Sequence, residues 1–368
     1  MRIAQVSPLY ESVPPKYYGG TERVVSWLTE ELVRMGHDVT LYASGDSVTS
    51  AELVATCPTS LRLNKEAVDH IAHHLVMLER IRRDADDFDV IHYHCDYLHF
   101  PFSRRIATPH VTTLHGRLDI PDLVPLYEEF AEMPVISISD AQREPLPWLE
   151  WVGTVQHGMP VQMYSGVERS GGYLAFLGRI SREKRPDRAI EIAIRAGLPL
   201  RIAAKVDGAD REYFDEVIRP LLGQSGIEWV GEIAQQEKQA FLGGAAALLF
   251  PIDWPEPFGL VMIEALACGT PVIAWEHGSV GEVIENGVTG YLVDSVEAAA
   301  AAVAMLDRID RRRCRIEFER RFAAERMARQ YVVQYQARIA ACGRSRMAAA
   351  GTAGSEVATR GTSRASLS

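Results

Sequence analysis

The chain lacks most of the marks of the specialised protein classes. No two of its five cysteines, Cys57, Cys95, Cys268, Cys314 and Cys342, stand at CxxC spacing, and their number is odd. That argues against a zinc ribbon or a disulfide framework and points to reduced thiols in a cytoplasmic protein. No apolar run approaches the ~20 residues that a membrane-spanning helix needs, which leaves peripheral contact at the inner membrane face as the one membrane role still open. The first residues, MRIAQVSPLYESVPP, are interrupted by prolines and do not read as a signal peptide. Basic excess is missing too. The formal net charge is -10, so nucleic acid is not an expected partner. HExxH and GxGxxG spacings are absent, which removes the commonest zinc-hydrolase and dinucleotide fingerprints.

What remains is an ordinary globular composition, 47% hydrophobic and 24% charged over 368 residues. This length suits about two domains at ~150 residues each. RIAQVSP reads as a buried strand, LYESVPPKYYGGT as a loop, ERVVSWLTEELVRMG as an amphipathic helix and HDVTLYAS as the next strand. Strand, helix, strand predicts a parallel sheet. DDFDVIHYH, PHVTTLHG and PVISISD continue the series. A second series starts near Gly171 with GGYLAFLGR and runs through RPDRAIEIAIRAG, PLRIAAKV, IEWVGE, AAALLFP, FGLVMIEALACG and TPVIAW. The class is α/β, with two doubly wound domains. The stretch from about Arg311 to Ala341 reads as helix. The small-residue tail from Gly343 is too poor in apolar surface to order itself and is expected to be disordered.

Ligands of open parallel sheets bind beyond the carboxyl ends of the strands, and the polar residues gather there. Arg179 offers a fork for phosphate and Lys184 a compact charge, although SREKR alone also reads as a solvated loop. Gly19-Gly20 before a helix lets a backbone approach a phosphate, or is only a turn. HYHCDYLH puts His92 and His94 on one strand face with Cys95, Asp96 and His99 nearby. A metal site there would lack an evident general base, so a structural or substrate-contact role comes first. In EPFGLVMIEALACG, Glu256 sits at a helix start. Glu264 stands inside an apolar run, where a carboxylate is costly unless hydrogen-bonded. Vicinal hydroxyls would meet that need, and so would a salt bridge to a basic side chain.

PPKYYGGTERVV, TLHG, FLGRISREKRPD and LLFPIDWPEPFGLVMIEALACGTPVIA occur in this order, and together they resemble the retaining GT-B fold glycosyltransferases of family 4, over about residues 1 to 340. The resemblance implies two Rossmann-like doubly wound domains facing a central cleft. Residues 1–165 form an acceptor domain, with a helix at 321–342 packing back on it. Residues 166–320 form a nucleotide-sugar donor domain, and 343–368 a disordered tail. It implies that Glu264 holds the ribose hydroxyls and Glu256 the donor sugar. Arg179 and Lys184 hold the diphosphate, Gly19 and Gly20 approach it from the other domain, and His115 lies near the reacting centre. Phe258, Gly259 and Leu260 belong to the donor site, and Arg143 to the cleft wall. Between the domains His157-Gly158-Met159-Pro160 replaces the H-N-G-V-D of many relatives.

The implied reaction moves a sugar from a nucleotide-diphosphate sugar, UDP by family frequency, to an acceptor hydroxyl with retention. No metal or other cofactor is expected, and no DxD motif suited to holding a metal is found. The acceptor, whether sugar, glycan, lipid or small molecule, would be chosen by loops at 10 to 20 and 60 to 75, and oligomerisation is left open. A non-hydrolysing nucleotide-sugar epimerase of the same fold and a non-catalytic sugar-nucleotide binding module stay as alternatives. Epimer formation without acceptor would single out the first. Loss of Glu256, Arg179 or Lys184 would mark the second, and all three are present.

Overall fold

The computed structural model describes residues 1–17, 19–164 and 171–361, with side chains described as far as residue 344. Two parallel sheets form the frame. The first contains β1 (Arg2–Val6), β2 (Asp38–Ser44), β3 (Glu52–Cys57), β4 (Val90–Tyr93), β5 (His110–Thr113), β6 (Val135–Ser137) and β7 (Trp151–Thr154), in the order β3-β2-β1-β4-β5-β6-β7. The second contains β8 (Tyr173–Arg179), β9 (Leu200–Lys205), β10 (Ile227–Gly231), β11 (Ala245–Phe250), β12 (Val272–Trp275) and β13 (Gly290–Val293), in the order β10-β9-β8-β11-β12-β13. Helices cover the faces, which explains why β4 and β12, and β1 after its first residue, are buried without alternation.

The helix Gly20–Arg34 buries Val24, Val25, Trp27, Leu28 and Leu32 at helical spacing. The chain ends by crossing between the sheets. The helix Arg311–Arg321 packs on the helix Leu260–Ala267, and the helix from Ala324 packs on Gly20–Arg34 and β5. Its Met327, Tyr331 and Tyr335 are wholly buried, which accounts for the apolar stripe in this otherwise polar stretch.

The sequence departure between the domains has a packing reason. Gly158 lies against Ala323, where a Cβ would overlap the Ala323 backbone, and its amide donates to the sulfur of Met327 at 3.2 Å. Met159 bridges Ala323. The boundary expected between residues 165 and 166 falls on residues 165–170, outside the described residues. The tail expected to be disordered from Gly343 instead continues as helix to Gly361. Its alanines favour helix, and extending a helix already begun avoids the cost of nucleation. Residues 362–368 lie outside the described residues.

Candidate active site

Each sheet reverses its winding once, between β1 and β4 in the first and between β8 and β11 in the second. A crevice opens where strand order reverses. Arg179 ends β8, Lys184 follows it, and Glu256 follows β11, so the second reversal gathers three of the expected residues. Two loops carry them, and the Asp253 amide ties them together by donating to the Glu183 carbonyl at 2.8 Å. Arg185, left-handed at φ 54°, closes the Lys184 turn, an uncommon conformation for a residue with a Cβ. Its guanidinium is held by Asp187 at 2.7 Å and Asp253 at 3.0 Å.

Lys184 is ion-paired with Glu256, and its ammonium lies over the Trp254 ring, 4.9 Å from the centroid. Both charged side chains are mostly buried, so neither is a solvated loop charge. Arg179 is held loosely, 3.9 Å from Glu183 and 3.7 Å from Asp207. Its Nε is buried without a partner among the described residues, an unusual state for a guanidinium. Phe258 is buried, and Gly259 caps the helix Leu260–Ala267 at φ 77°, where a Cβ would also press on Met262 Cε at 2.8 Å. From the first domain, Gly20 comes up to Leu260, so the start of the Gly20–Arg34 helix faces the start of the Leu260–Ala267 helix across the cleft.

Glu264 is 3% exposed, and Lys238 donates to it at 2.7 Å. The sequence reading left open a basic partner for Glu264 without naming one. Lys238 lies 26 positions away, which no local spacing reveals.

On the first side His115 lies two residues past the end of β5 and stacks on His157 with centroids 5.2 Å apart; His157 in turn meets Phe258 edge-on at 4.9 Å. His115 thus stands between the first sheet and the loop carrying Glu256. Burial drives the His115 pKa down to about 3 and those of His92, His94 and His157 well below the ordinary range, so all four rings are neutral at pH 7. His92 and His94 have both ring nitrogens engaged. His92 meets Tyr335 and Thr113, each at 2.7 Å, and His94 meets His115 at 2.9 Å and Gln5 at 2.8 Å. Cys95 is buried and His99 is bonded to Ser103 and Thr112. Among the described residues no group of three His, Cys, Asp or Glu side chains is arranged to hold a metal ion.

Arg143, expected on the cleft wall, follows Asp140 and Ala141, and its guanidinium is tied into the scaffold. It donates to Ser137 at 2.8 Å and to Thr154, joining β6 to β7. Near the first reversal, Glu11 and Glu22 escaped the sequence reading as site residues, and Asp96 entered it only as a neighbour of a possible metal site. Glu22, in the first turn of the glycine-led helix, is buried and its pKa is pushed up to about 7 by that burial. Asp96, just past β4, is pushed up to about 6 for the same reason and adopts φ 47°. Glu11 pairs with Arg62 at 2.9 Å. The one local signal was the glutamate following GGT. Across the cleft Arg117 pairs with Glu183, and Glu282 accepts the Asp140 and Ala141 amides at 3.0 and 2.8 Å.

Two family models match the chain in succession, Glycosyltransferase Family 4 over residues 18–140 and Glycosyl transferases group 1 over residues 166–324. The chain belongs to the family 4 glycosyltransferases of the GT-B fold. This glycosyltransferase is similar to the alpha-maltose-1-phosphate synthase of Mycolicibacterium smegmatis, 26% identical over 80% of this chain and 84% of that one. It is also similar to the phosphatidyl-myo-inositol mannosyltransferase of Mycobacterium leprae, 26% identical over 83% and 87%. Among solved structures, sucrose-phosphate synthase from Thermosynechococcus elongatus shares the fold at a TM-score of 0.76, with 19% identity and coverage of 93% of this chain and 100% of that one. HepE of Anabaena, in complex with UDP-glucose, shares it at 0.67, with 18% identity and coverage of 92% and 100%.

Proposed function

We propose that this glycosyltransferase moves a sugar from a UDP-sugar to an acceptor hydroxyl with retention of configuration. The observation that carries the reading is the convergence of Arg179 and Lys184 beside the Glu256 loop at the reversal of the second sheet, with the Arg179 Nε buried and without a partner among the described residues. Departure of a nucleoside diphosphate builds negative charge on its terminal oxygen. Two preset cations in a partly buried site stabilise that charge without reorganising at the moment of reaction. The arriving diphosphate exchanges Lys184 from Glu256, which frees that carboxylate for donor-sugar hydroxyls. Glu264, oriented by Lys238, accepts from the ribose diol. The leaving phosphate oxygen takes the acceptor proton on the face it leaves, which retains configuration. Uridine is favoured by the UDP-glucose complex of HepE.

The acceptor approaches from the first sheet, where Glu11, Glu22 and Asp96 offer carboxyl groups to hydroxyls. A thermal-shift panel of nucleotide sugars identifies the donor. Incubation of the stabilising donor with candidate acceptors, followed by NMR of the product anomeric centre, tests the reaction. Transfer with inversion would overturn the stereochemistry. Epimerisation of the donor with no acceptor present would overturn transfer itself.

A further inference from the structure

A run of buried hydrogen bonds connects the C-terminal helix to the cleft. Tyr331 meets Thr113 at 3.0 Å, Thr113 meets His92 at 2.7 Å, and His92 meets Tyr335 at 2.7 Å. Gln5 Nε2 donates to the Tyr335 hydroxyl at 3.0 Å, while Gln5 Oε1 faces His94 Nε2 at 2.8 Å. His94 Nδ1 then meets His115 Nε2 at 2.9 Å. Each of these seven side chains supplies one proton to the run, and only six bonds join them. One proton is therefore left over at one end, and the direction of every bond follows from a single choice.

Gln5 makes that choice. A carbonyl oxygen only accepts, so His94 must donate from Nε2. A neutral imidazole has one N–H, so His94 Nδ1 accepts and His115 must donate from Nε2. His115 Nδ1 is then a bare lone pair, and it is the ring atom that has no partner among the described residues. In the other direction Tyr335 receives the Gln5 amide and donates to His92, His92 donates to Thr113, and Thr113 to Tyr331, where the spare proton rests.

We propose that Gln5 and His94 are positioning residues for this glycosyltransferase: they fix the tautomer of His115 so that its Nδ1 accepts a hydrogen bond in the cleft, and Tyr335 of the C-terminal helix holds the Gln5 amide in the required sense. The ligand group that this setting recognises is a hydroxyl, which can donate, and not a phosphate oxygen, which cannot. The functional arm of the inference rests on the glycosyl-transfer reading; the tautomer itself does not.

Histidine-selective two-bond ¹H–¹⁵N NMR on the full chain reads the tautomers directly. His94 and His115 are expected to show protonated Nε2 and unprotonated Nδ1. A protonated His115 Nδ1 would overturn the proposal even if transferase activity is found, and the expected tautomer would stand even if that activity is not. Gln5→Glu, which presents acceptor oxygen to both neighbours, should keep the His115 tautomer; its reversal would also overturn the proposal. Gln5→Leu should lower kcat about tenfold, the value of a neutral hydrogen bond of ~1.4 kcal/mol, while the affinity for free UDP stays unchanged. Unchanged kcat in a folded Gln5→Leu protein would remove the functional arm.

Discussion

On the second sheet's side of the cleft, Lys184 faces Glu256 and Lys238 faces Glu264, and the Arg179 Nε has no partner among the described residues. On the first sheet's side, His92, His94, His115 and His157 are neutral because burial penalises their charged forms. Both sides lie on or just beyond the strands of a parallel sheet that reverses its winding once. Under the proposed function, the difference follows from what each side must do. A departing diphosphate needs fixed positive charge, and a charge kept ready must be paired while it waits. Hydroxyl recognition needs donors and acceptors in a set direction, which a chain of neutral groups supplies at lower desolvation cost.

The sharpest break in this comparison is to remove the helix that both sides share. Truncation after Glu319 deletes buried Phe322, Met327, Tyr331 and Tyr335 and uncovers β5 and the Gly20–Arg34 helix. The truncated chain is expected to lose its cooperative thermal transition altogether; a normal melt would refute the crossing helix as a structural element.

Next in size are the cations. Lys184→Ala and Arg179→Ala should each lower turnover at saturating donor by about 2–4 kcal/mol, by analogy with a lost oxyanion donor. Steady-state kinetics decide: wild-type turnover in either variant would mean that this residue does not hold the leaving group.

The neutral side is tested by acid. A histidine whose folded pKa lies below its unfolded value leaves the unfolded state to take up protons first, so stability is present above pH ~6.5 and is lost as pH falls. Each such ring contributes up to ~1.4 kcal/mol per pH unit. Glu22 and Asp96 act with the opposite sign, because their folded values are raised to about 7 and about 6, so their cost grows as pH rises through that range. The histidines outnumber them, and denaturant midpoints should fall from pH 7 to pH 5. Glu22→Gln should steepen that fall and raise stability at pH 8. A flat profile between pH 5 and 7 would contradict neutral buried rings.

The smallest expected effect is truncation after Cys342. The described buried contacts of the last helix stop short of it, and melting temperature and turnover should both stay at the full-length values. A lower melting temperature would assign a packing role to the helical extension.

Much of this was legible in the sequence where the signal is local. GGTER before a helix, LHG at a strand end, GRISREK and EPFGLVMIE each carry their residues on one loop or one helix face, and their order marked the family. The pairings were not legible. Lys184 and Glu256 lie 72 positions apart, and His92 and Tyr335 lie 243 apart, so no periodicity connects them. The short edge strands β3 and β7 are partly exposed and lack the apolar run that marked their neighbours. The bonds of Arg143 to Ser137 and Thr154 were not legible, because a polar residue after a strand can serve the strand edge as readily as the cleft. The alanine-rich tail misled because composition does not record that a helix is already running into it.

The two carboxylates are expected to divide the labour, Glu264 on the ribose and Glu256 on the donor sugar, and calorimetry of two variants with two ligands separates them. Glu264→Gln keeps the shape but loses the charge that strengthens bonds to a diol, so affinity should fall roughly tenfold or more for both free UDP and the UDP-sugar. Glu256→Gln should weaken the UDP-sugar and leave free UDP nearly unchanged, because only the former carries the hydroxyls it holds. If Glu264→Gln binds UDP as tightly as wild type, the ribose assignment fails, and Glu264 is a structural partner of Lys238 and nothing more.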